Sequence, residues 1–347
     1  MAQCKILKKS LWGGFITIFI AATLNASSPN STNLPDSSVS QIQNVIDLTV
    51  MQAYDEARNV CKNLQSQYPE HPIGYLFEAA TLYSQMLDFE LYDQKDEFFE
   101  LTSRVKSLCK GALKEDPKNS WLYFFMGSAT GYEAYVNGRD QKLYQAFREG
   151  LKSVDLLQKA FAIDSTNYDV YLGVGAYKYY KSKYSRYLSW TPFVKDERDI
   201  GVEMIRTAVT KGAFSRAPAI NSLLWILIDS KDFSEAIMLA DEALAEYPNS
   251  RFFLWAKADA AFKKGDFPMA QQAYAHILNT YKKEQKRSYL NELICHARLA
   301  EICQKMEDLT VAKEHAQKAL AIEIPKSLKD RAGEHRKKAR KILKSAS

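Results

Sequence analysis

The chain has 347 residues, of which 46% are hydrophobic and 25% charged, with only 14 glycines and 10 prolines. That is ample material for a sizeable core, and few breakers beside many Ala, Leu, Lys, Glu and Tyr favour long helices over a β-sandwich. The net charge of +6 is uneven: Lys5, Lys8 and Lys9 carry +3, nine Lys/Arg against Asp330 and Glu334 give +7 from Lys326 onward, and the body between is −4. A nucleic-acid-binding body would be basic on one face, so no nucleic acid is expected as a partner.

Residues 1–10 hold three lysines and no acid, and the uncharged run Leu11 to Leu24 follows, closing on Asn25-Ala26 before Ser27. A charged start, a short apolar run and a small-residue exit predict a secretory signal peptide over 1–26. The competing reading is a membrane anchor, which needs about 20 apolar residues. Cys4 precedes the apolar run and cannot become a lipoprotein cysteine after such cleavage. Residues 27–40, rich in Ser, Asn and Pro, read as a flexible linker. The expected localisation is periplasmic or outer-membrane-associated.

Past the linker, apolar residues recur at helical spacing in pairs of helices. The clearest unit is Asp232-Phe233-Ser234-Glu235-Ala236 followed by Ala240, Ala243, Tyr247 and Pro248, and Gly265-Asp266-Phe267-Pro268-Met269-Ala270 with Tyr274 repeats it 34 residues later. Ala236 and Ala270 are small where two helices of a hairpin would cross, and Pro248 falls where a helix must stop. Reading outward, Tyr54 to Ala57 with Cys61, Leu64, Tyr68 and Pro69 belongs to a first unit, and Cys109, Ala112, Asp116 and Pro117 close a second. Met126-Gly127 with Ala160 to Asp164 marks a third, Val174-Gly175 with Gly201, Ile205 and Ala208 a fourth, and Leu309, Ala312, Ala316 and Ala319 a seventh.

These residues resemble the tetratricopeptide repeat, whose period is 34 residues. The resemblance implies an all-α, right-handed solenoid of about seven helical hairpins over 41–325. Units three to five are also similar to a group of bacterial secreted repeat proteins, through Gly131-Tyr132-Glu133-Ala134, Tyr171 to Tyr177 and Asp196 to Gly201, a likeness that implies no known chemistry. Extra residues at Asp88–Gln94, Asn137–Gln145 and Ser182–Lys195 are expected to form loops on one edge of the solenoid. The basic end, 326–347, has Leu328, Ala332, Ala339, Ile342 and Leu343 at helical spacing and reads as a capping helix. The alternative for it is peripheral contact with anionic lipid or cell-wall polymer.

In such hairpins the first helix lines the concave face. Counting from each repeat start assigns to that face Trp121, Phe124 and Tyr132 of unit three, Tyr179 and Tyr180 of unit four, Asn221 and Trp225 of unit five, and Phe252, Trp255 and Asp259 of unit six. Aromatics anchor binding through large area with few rotors, which predicts a groove for a protein or peptide partner. Ordinary inter-repeat core is the competing reading, and a small apolar or glycan ligand is the alternative occupant. A second cluster, Tyr177, Tyr179, Tyr180, Tyr184, Tyr187, Trp190 and Phe193 with interleaved Lys178, Lys181, Lys183 and Arg186, could stack on sugars or pack on the solenoid edge.

Catalytic signals are sparse. His71, His276, His296, His315 and His335 stand singly without ligand spacing. Cys295 and His296 are helix neighbours and point apart. No phosphate-cradling glycine loop or nucleophile elbow occurs. Cys61, Cys109, Cys295 and Cys303 fall at core positions and read as free thiols. The expectation is a non-enzymatic binding scaffold with no cofactor and no metal.

Overall fold

The computed structural model describes residues 36–185 and 195–345. The expected signal segment, most of the linker and residues 186–194 of the third insertion lie outside them. The helices are α1 (Asp36–Val50), α2 (Tyr54–Gln67), α3 (Ile73–Phe89), α4 (Lys95–Glu115), α5 (Ser120–Arg139), α6 (Leu143–Ile163), α7 (Val170–Ser185) and α8 (Arg198–Lys211). They continue as α9 (Arg216–Ser230), α10 (Phe233–Glu246), α11 (Arg251–Lys264), α12 (Phe267–Tyr281), α13 (Tyr289–Lys305), α14 (Leu309–Ala321) and α15 (Lys329–Ser345), with a 3-10 turn at Lys326–Leu328. Among the described residues there is no strand. Because α1 begins at Asp36, the last five residues of the expected linker are helical.

Taken in pairs, α1/α2 through α13/α14 are the seven predicted hairpins, and α15 follows as a cap. Two local devices recur among the described pairs. The first is the turn. Gln52, Glu90, Gln141, Lys231, Gly265 and Glu307 all have positive φ, from 55° to 89°, one in each hairpin whose turn is described. Gly265 alone among them is glycine, the residue that adopts this conformation without a Cβ penalty. The Gly265 N–H donates to the Phe262 carbonyl and the Asp266 N–H to the Ala261 carbonyl, closing α11, and the Asp266 side chain accepts from the Met269 N–H to start α12. The second device is a small residue four places into the second helix. Ala57, Ala236, Ala270 and Ala312 occupy that place and are fully buried, and in α1/α2, α11/α12 and α13/α14 the paired helices lie against each other, as predicted for Ala270. Gly201 holds the same place in α8, where it meets Gly175 of α7: a Cβ on Gly175 would stand 2.6 Å from the Gly201 carbonyl oxygen. The second hairpin departs from the rule, with buried Phe98 in that position.

The chain divides into two compact units, residues up to 84 with 93–226, and 85–92 with 227 onward. In the first, Tyr83 stacks on Tyr132 with ring centroids 4.9 Å apart, and Phe98, Phe125 and Phe214 are buried. In the second, Ala297, Ala300, Cys303, Ala312, Ala316 and Ala319 form one apolar layer closed by Ala339 and Ile342 of α15. Leu328 and Ala332 extend the closure against Leu290, Leu293 and Ile322. The basic segment is therefore a capping helix: its apolar face ends the core, and Arg331 turns to Glu90 at 2.6 Å.

The edge loop expected at Asp88–Gln94 is present in shortened form: Asp88 and Phe89 still belong to α3, and 90–94 connect it to α4. The one expected at Asn137–Gln145 is corrected, since 137–139 still belong to α5 and 143–145 to α6. There the extra residues went into a longer helix: α6 has 21 residues against 14 in α2, α8, α10 and α11. Only 140–142 connect α5 to α6. No helix among the described residues is long and apolar enough to cross a membrane.

Candidate functional site

The ten groove candidates separate by burial. Trp121 is 5% exposed, set edge-on to Phe124 at 5.7 Å and to Phe214 at 5.5 Å and tilted against Phe125. Its indole is spent on the first unit's core. Phe124 and Tyr132 are buried with it. The Tyr132 hydroxyl has no hydrogen-bond partner, and burial alone pushes its pKa up. These three positions fill the interior and offer no open wall, because apolar residues recur on most sides of α5 and 16 of its 20 residues are buried. Tyr179 is buried and edge-on to Tyr180 at 5.1 Å, while Tyr180 is half-buried and stacks toward Tyr184 at 6.1 Å. Asn221 is buried, and its Oδ1 is unpartnered.

The remaining candidates keep partial exposure. Trp225 of α9 and Phe252 and Trp255 of α11 are half-buried. Trp225 belongs to the first unit; Phe252, Trp255 and Asp259 belong to the second. Trp255 packs edge-on to Tyr274 at 5.9 Å. Asp259 is engaged in an ion pair with Lys263 at 2.7 Å and lies 3.8 Å from Arg298, whose guanidinium sits 4.5 Å over the Phe262 ring. Asp259 thus pairs with its own unit before it could meet a ligand.

Other groupings had no signal in the linear sequence. His296 of α13 and His315 of α14, read singly above, meet Nδ1 to Nδ1 at 2.9 Å. Burial, then the neighbouring His315 and the cations Lys318 and Lys282, lower the His296 pKa to about 4. Burial and Lys318 lower His315 as well. His296 borders a shallow cleft of about 530 Å³ shared with Arg287, Tyr289, Glu292, Lys318 and Glu323. Arg287 is held by Glu292 in a two-pronged pair at 2.8 and 3.0 Å, so the cleft's charges largely cancel. Among the described residues no three His, Cys, Asp or Glu side chains form a metal-binding group. The four described cysteines are free and buried. Burial raises Cys61 and Cys295 and takes Cys109 to about 12, the opposite of the depression that makes a thiol a nucleophile.

The most open apolar surface is elsewhere. At the start of α6, Leu143, Tyr144, Phe147 and Leu151 are 54%, 80%, 66% and 44% exposed. Their helical spacing is plain in the sequence, but the stretch before Ala146 had been assigned to an edge loop.

No protein-family model matches the chain, and no curated protein matches it. Among solved structures, the APC/C hetero-tetramer Cut9–Hcn1 superposes with a TM-score of 0.54 at 13% identity, over 92% of this chain and 58% of that one. This chain therefore spans somewhat over half the length of that protein. The C-terminal part of a TPR repeat-containing protein from Cytophaga hutchinsonii gives 0.41 at 14% identity, covering 83% of this chain and 98% of that one. Yeast Tom70 gives 0.43 at 15% identity, covering 99% of this chain and 72% of that one. At such identities the likeness concerns the fold. With seven hairpins, a recurring left-handed turn residue and a small crossing residue, the chain is an all-α solenoid of the tetratricopeptide type.

Proposed function

We propose that this chain is an exported, non-enzymatic repeat scaffold that binds a protein or peptide partner. The observation that carries the reading is the contiguous apolar surface on α6, where Leu143, Tyr144, Phe147 and Leu151 are exposed together. Contiguous exposed apolar patches on soluble proteins mark interaction sites. Stacked helical hairpins suit that role, since they extend binding surface without needing a catalytic cleft. The raised thiol pKa values and the cancelled charges of the His296 cleft favour binding over catalysis. The aromatic form of the proposal takes each unit by itself: half-buried Trp225 in the first, half-buried Phe252 and Trp255 in the second, since Trp121, Phe124 and Tyr132 are interior.

Export rests on the charged and apolar pattern of 1–26. N-terminal sequencing of the protein from its host should give a start near Ser27; an intact Met1 in the membrane fraction would end that part of the proposal. Partner binding is tested by a photo-cross-linking residue placed at 147, 225 or 255 of the full chain in its host. A discrete protein adduct is expected from at least one position. Irradiation that yields no adduct from any of the three removes the scaffold reading.

A further inference from the structure

The open face of α6 has a stated shape and a stated charge. Leu143, Tyr144, Phe147 and Leu151 fall at i, i+1, i+4 and i+8, which puts them on one stripe of the helix. Eight residues of rise give the stripe a length of about 12 Å. Further along α6 the same side is covered. Phe147, Val154 and Phe161 follow at seven-residue steps on nearly one line, and the Phe161 ring meets Tyr171 of α7 edge-on at 5.3 Å. Leu157 fills the space that a side chain on Gly173 of α7 would take. One heptad earlier, a Cβ on Gly150 would meet nothing within 4 Å. So α7 covers the second half of α6 and leaves the first half, and the residues left bare are large and apolar.

The flanks are cationic. Arg148 and Lys152 are exposed on one side of the stripe. On α7, Lys181 lies 5.4 Å over the Tyr177 ring, and Lys183 lies 5.3 Å over Tyr184. Antiparallel pairing of α6 and α7 puts this end of α7 on the side where α6 begins. Glu149 is turned away, accepting from Asn137 at 2.7 Å and Gln145 at 3.0 Å. Asp155 stands one turn past Leu151.

We infer that this face docks an acidic amphipathic helix of a protein partner, its apolar stripe on Leu143, Tyr144, Phe147 and Leu151 and its carboxylates toward Arg148, Lys152, Lys181 and Lys183. The inference rests on the protein-binding reading above and names its site. Helix-on-apolar-surface recognition reads anchors at i, i+3, i+4 and i+7, and two turns of α6 match that length. Complementary charge sets partner choice and encounter rate. A second copy of the chain fits less well, because antiparallel self-pairing about Phe147 would set Lys152 against Lys142 of the other copy.

The test uses the full chain and two synthetic helical peptides of about 16 residues, long enough to hold some helix alone. Both carry the same Leu/Phe stripe; one has Glu and the other Lys at the remaining positions. Binding is read by fluorescence anisotropy. The Glu peptide is expected to bind, and to lose at least about tenfold in affinity, near 1.4 kcal/mol, in Tyr144→Ser/Phe147→Ser. A comparable loss is expected in Arg148→Glu/Lys152→Glu, and the Lys peptide should bind at least about tenfold more weakly to the wild type. Both anchor residues are exposed, so helicity should not change. Equal binding of the Glu peptide to wild type and Tyr144→Ser/Phe147→Ser would show capture elsewhere, overturning this site while leaving the scaffold reading intact. No binding of the Glu peptide, or equal binding of both peptides, also overturns it. So does a dimer in sedimentation equilibrium that Phe147→Ser dissociates, which would make a second copy the occupant.

Discussion

Removing the carboxylate of Asp88 should be among the most damaging single changes in the second unit. Arg251 is 2% exposed. Its Nε reaches Asp88 Oδ1 at 2.8 Å, its Nη2 reaches Oδ2 at 2.5 Å, and its Nη1 reaches Glu284 at 2.7 Å. The guanidinium also lies 4.5 Å over the Tyr281 ring. Asp88 is in turn fixed through its backbone carbonyl, which accepts from Tyr281 Oη at 2.8 Å and Asn291 Nδ2 at 2.6 Å. Asp88→Asn preserves the shape and deletes the charge. It leaves the buried guanidinium without its buried carboxylate, and the ion pair that remains, with Glu284, is to a partly exposed side chain. Removing one partner of a buried pair costs about 3–5 kcal/mol, because the other charge stays desolvated. For a chain of this size that corresponds to a fall in Tm on the order of 10 °C. Urea unfolding followed by circular dichroism measures it, with Arg251→Met and the double variant completing a cycle. The double variant should lose less than the sum of the singles by roughly 1–3 kcal/mol. An Asp88→Asn loss under about 1 kcal/mol, or an additive cycle, would refute the view that this pair organises the unit.

Ala236→Leu should overpack the fully buried site of Ala236 and cost about 1–3 kcal/mol, and Gly175→Ala should cost at least as much, because the obstructing atom is the Gly201 carbonyl and cannot rotate away; an unchanged melting temperature in either would mean that these positions are not tightly packed. Trp121→Ala should lower stability by about 3–5 kcal/mol as a core truncation, whereas Trp225→Ala should leave helicity intact and weaken partner capture by about tenfold; a reversed pattern would move the groove back to α5. The histidine pair makes stability pH-dependent. His296 has its pKa lowered from 6.5 to about 4 and His315 is lowered too, so the unfolded chain binds more protons in that window and stability falls as pH drops from about 6.5 toward 4. His296→Phe should flatten the pH–stability curve there, and an unchanged slope would show that the pair stays charged when folded.

The sequence carried the fold through residues whose demands are local. Asp232, Ala236, Pro248 and their copies at Asp266 and Ala270 are short-range signals of turn, crossing and stop, and every hairpin they announced is present. The turn device was half hidden, since Gly265 alone advertises a positive φ, while Gln52, Gln141, Lys231 and Glu307 adopt it under tertiary constraint. Extra residues were visible at Asn137–Gln145 but not their fate. A helix can absorb an insertion by lengthening, and nothing local distinguishes that from a loop when the residues are themselves good helix formers. The groove assignment ran into a different limit. Helical spacing says that Trp121 and Trp225 lie on comparable faces of their helices. It does not say whether the next hairpin covers that face. Phe214 covers Trp121, and that is a contact of long sequence separation.

The same limit explains why function concentrates where this repeat is irregular. In a regular hairpin array each apolar face is answered by the next hairpin, so a conforming residue is consumed by packing. Leu143, Tyr144, Phe147 and Leu151 escape this because α6 is half again as long as α8, its counterpart in the next hairpin, and starts a turn or two ahead of what its neighbour can cover. Asp88 shows the converse case: the extra turn of α3 meets Arg251 and is locked by it, so its extension became structure. An overhang that finds a partner within the chain is a clasp, and one that does not is a surface. By that criterion the start of α6, with four large apolar side chains and the exposed Arg148 and Lys152 beside them, is the departure from the repeat that a partner protein is best placed to read.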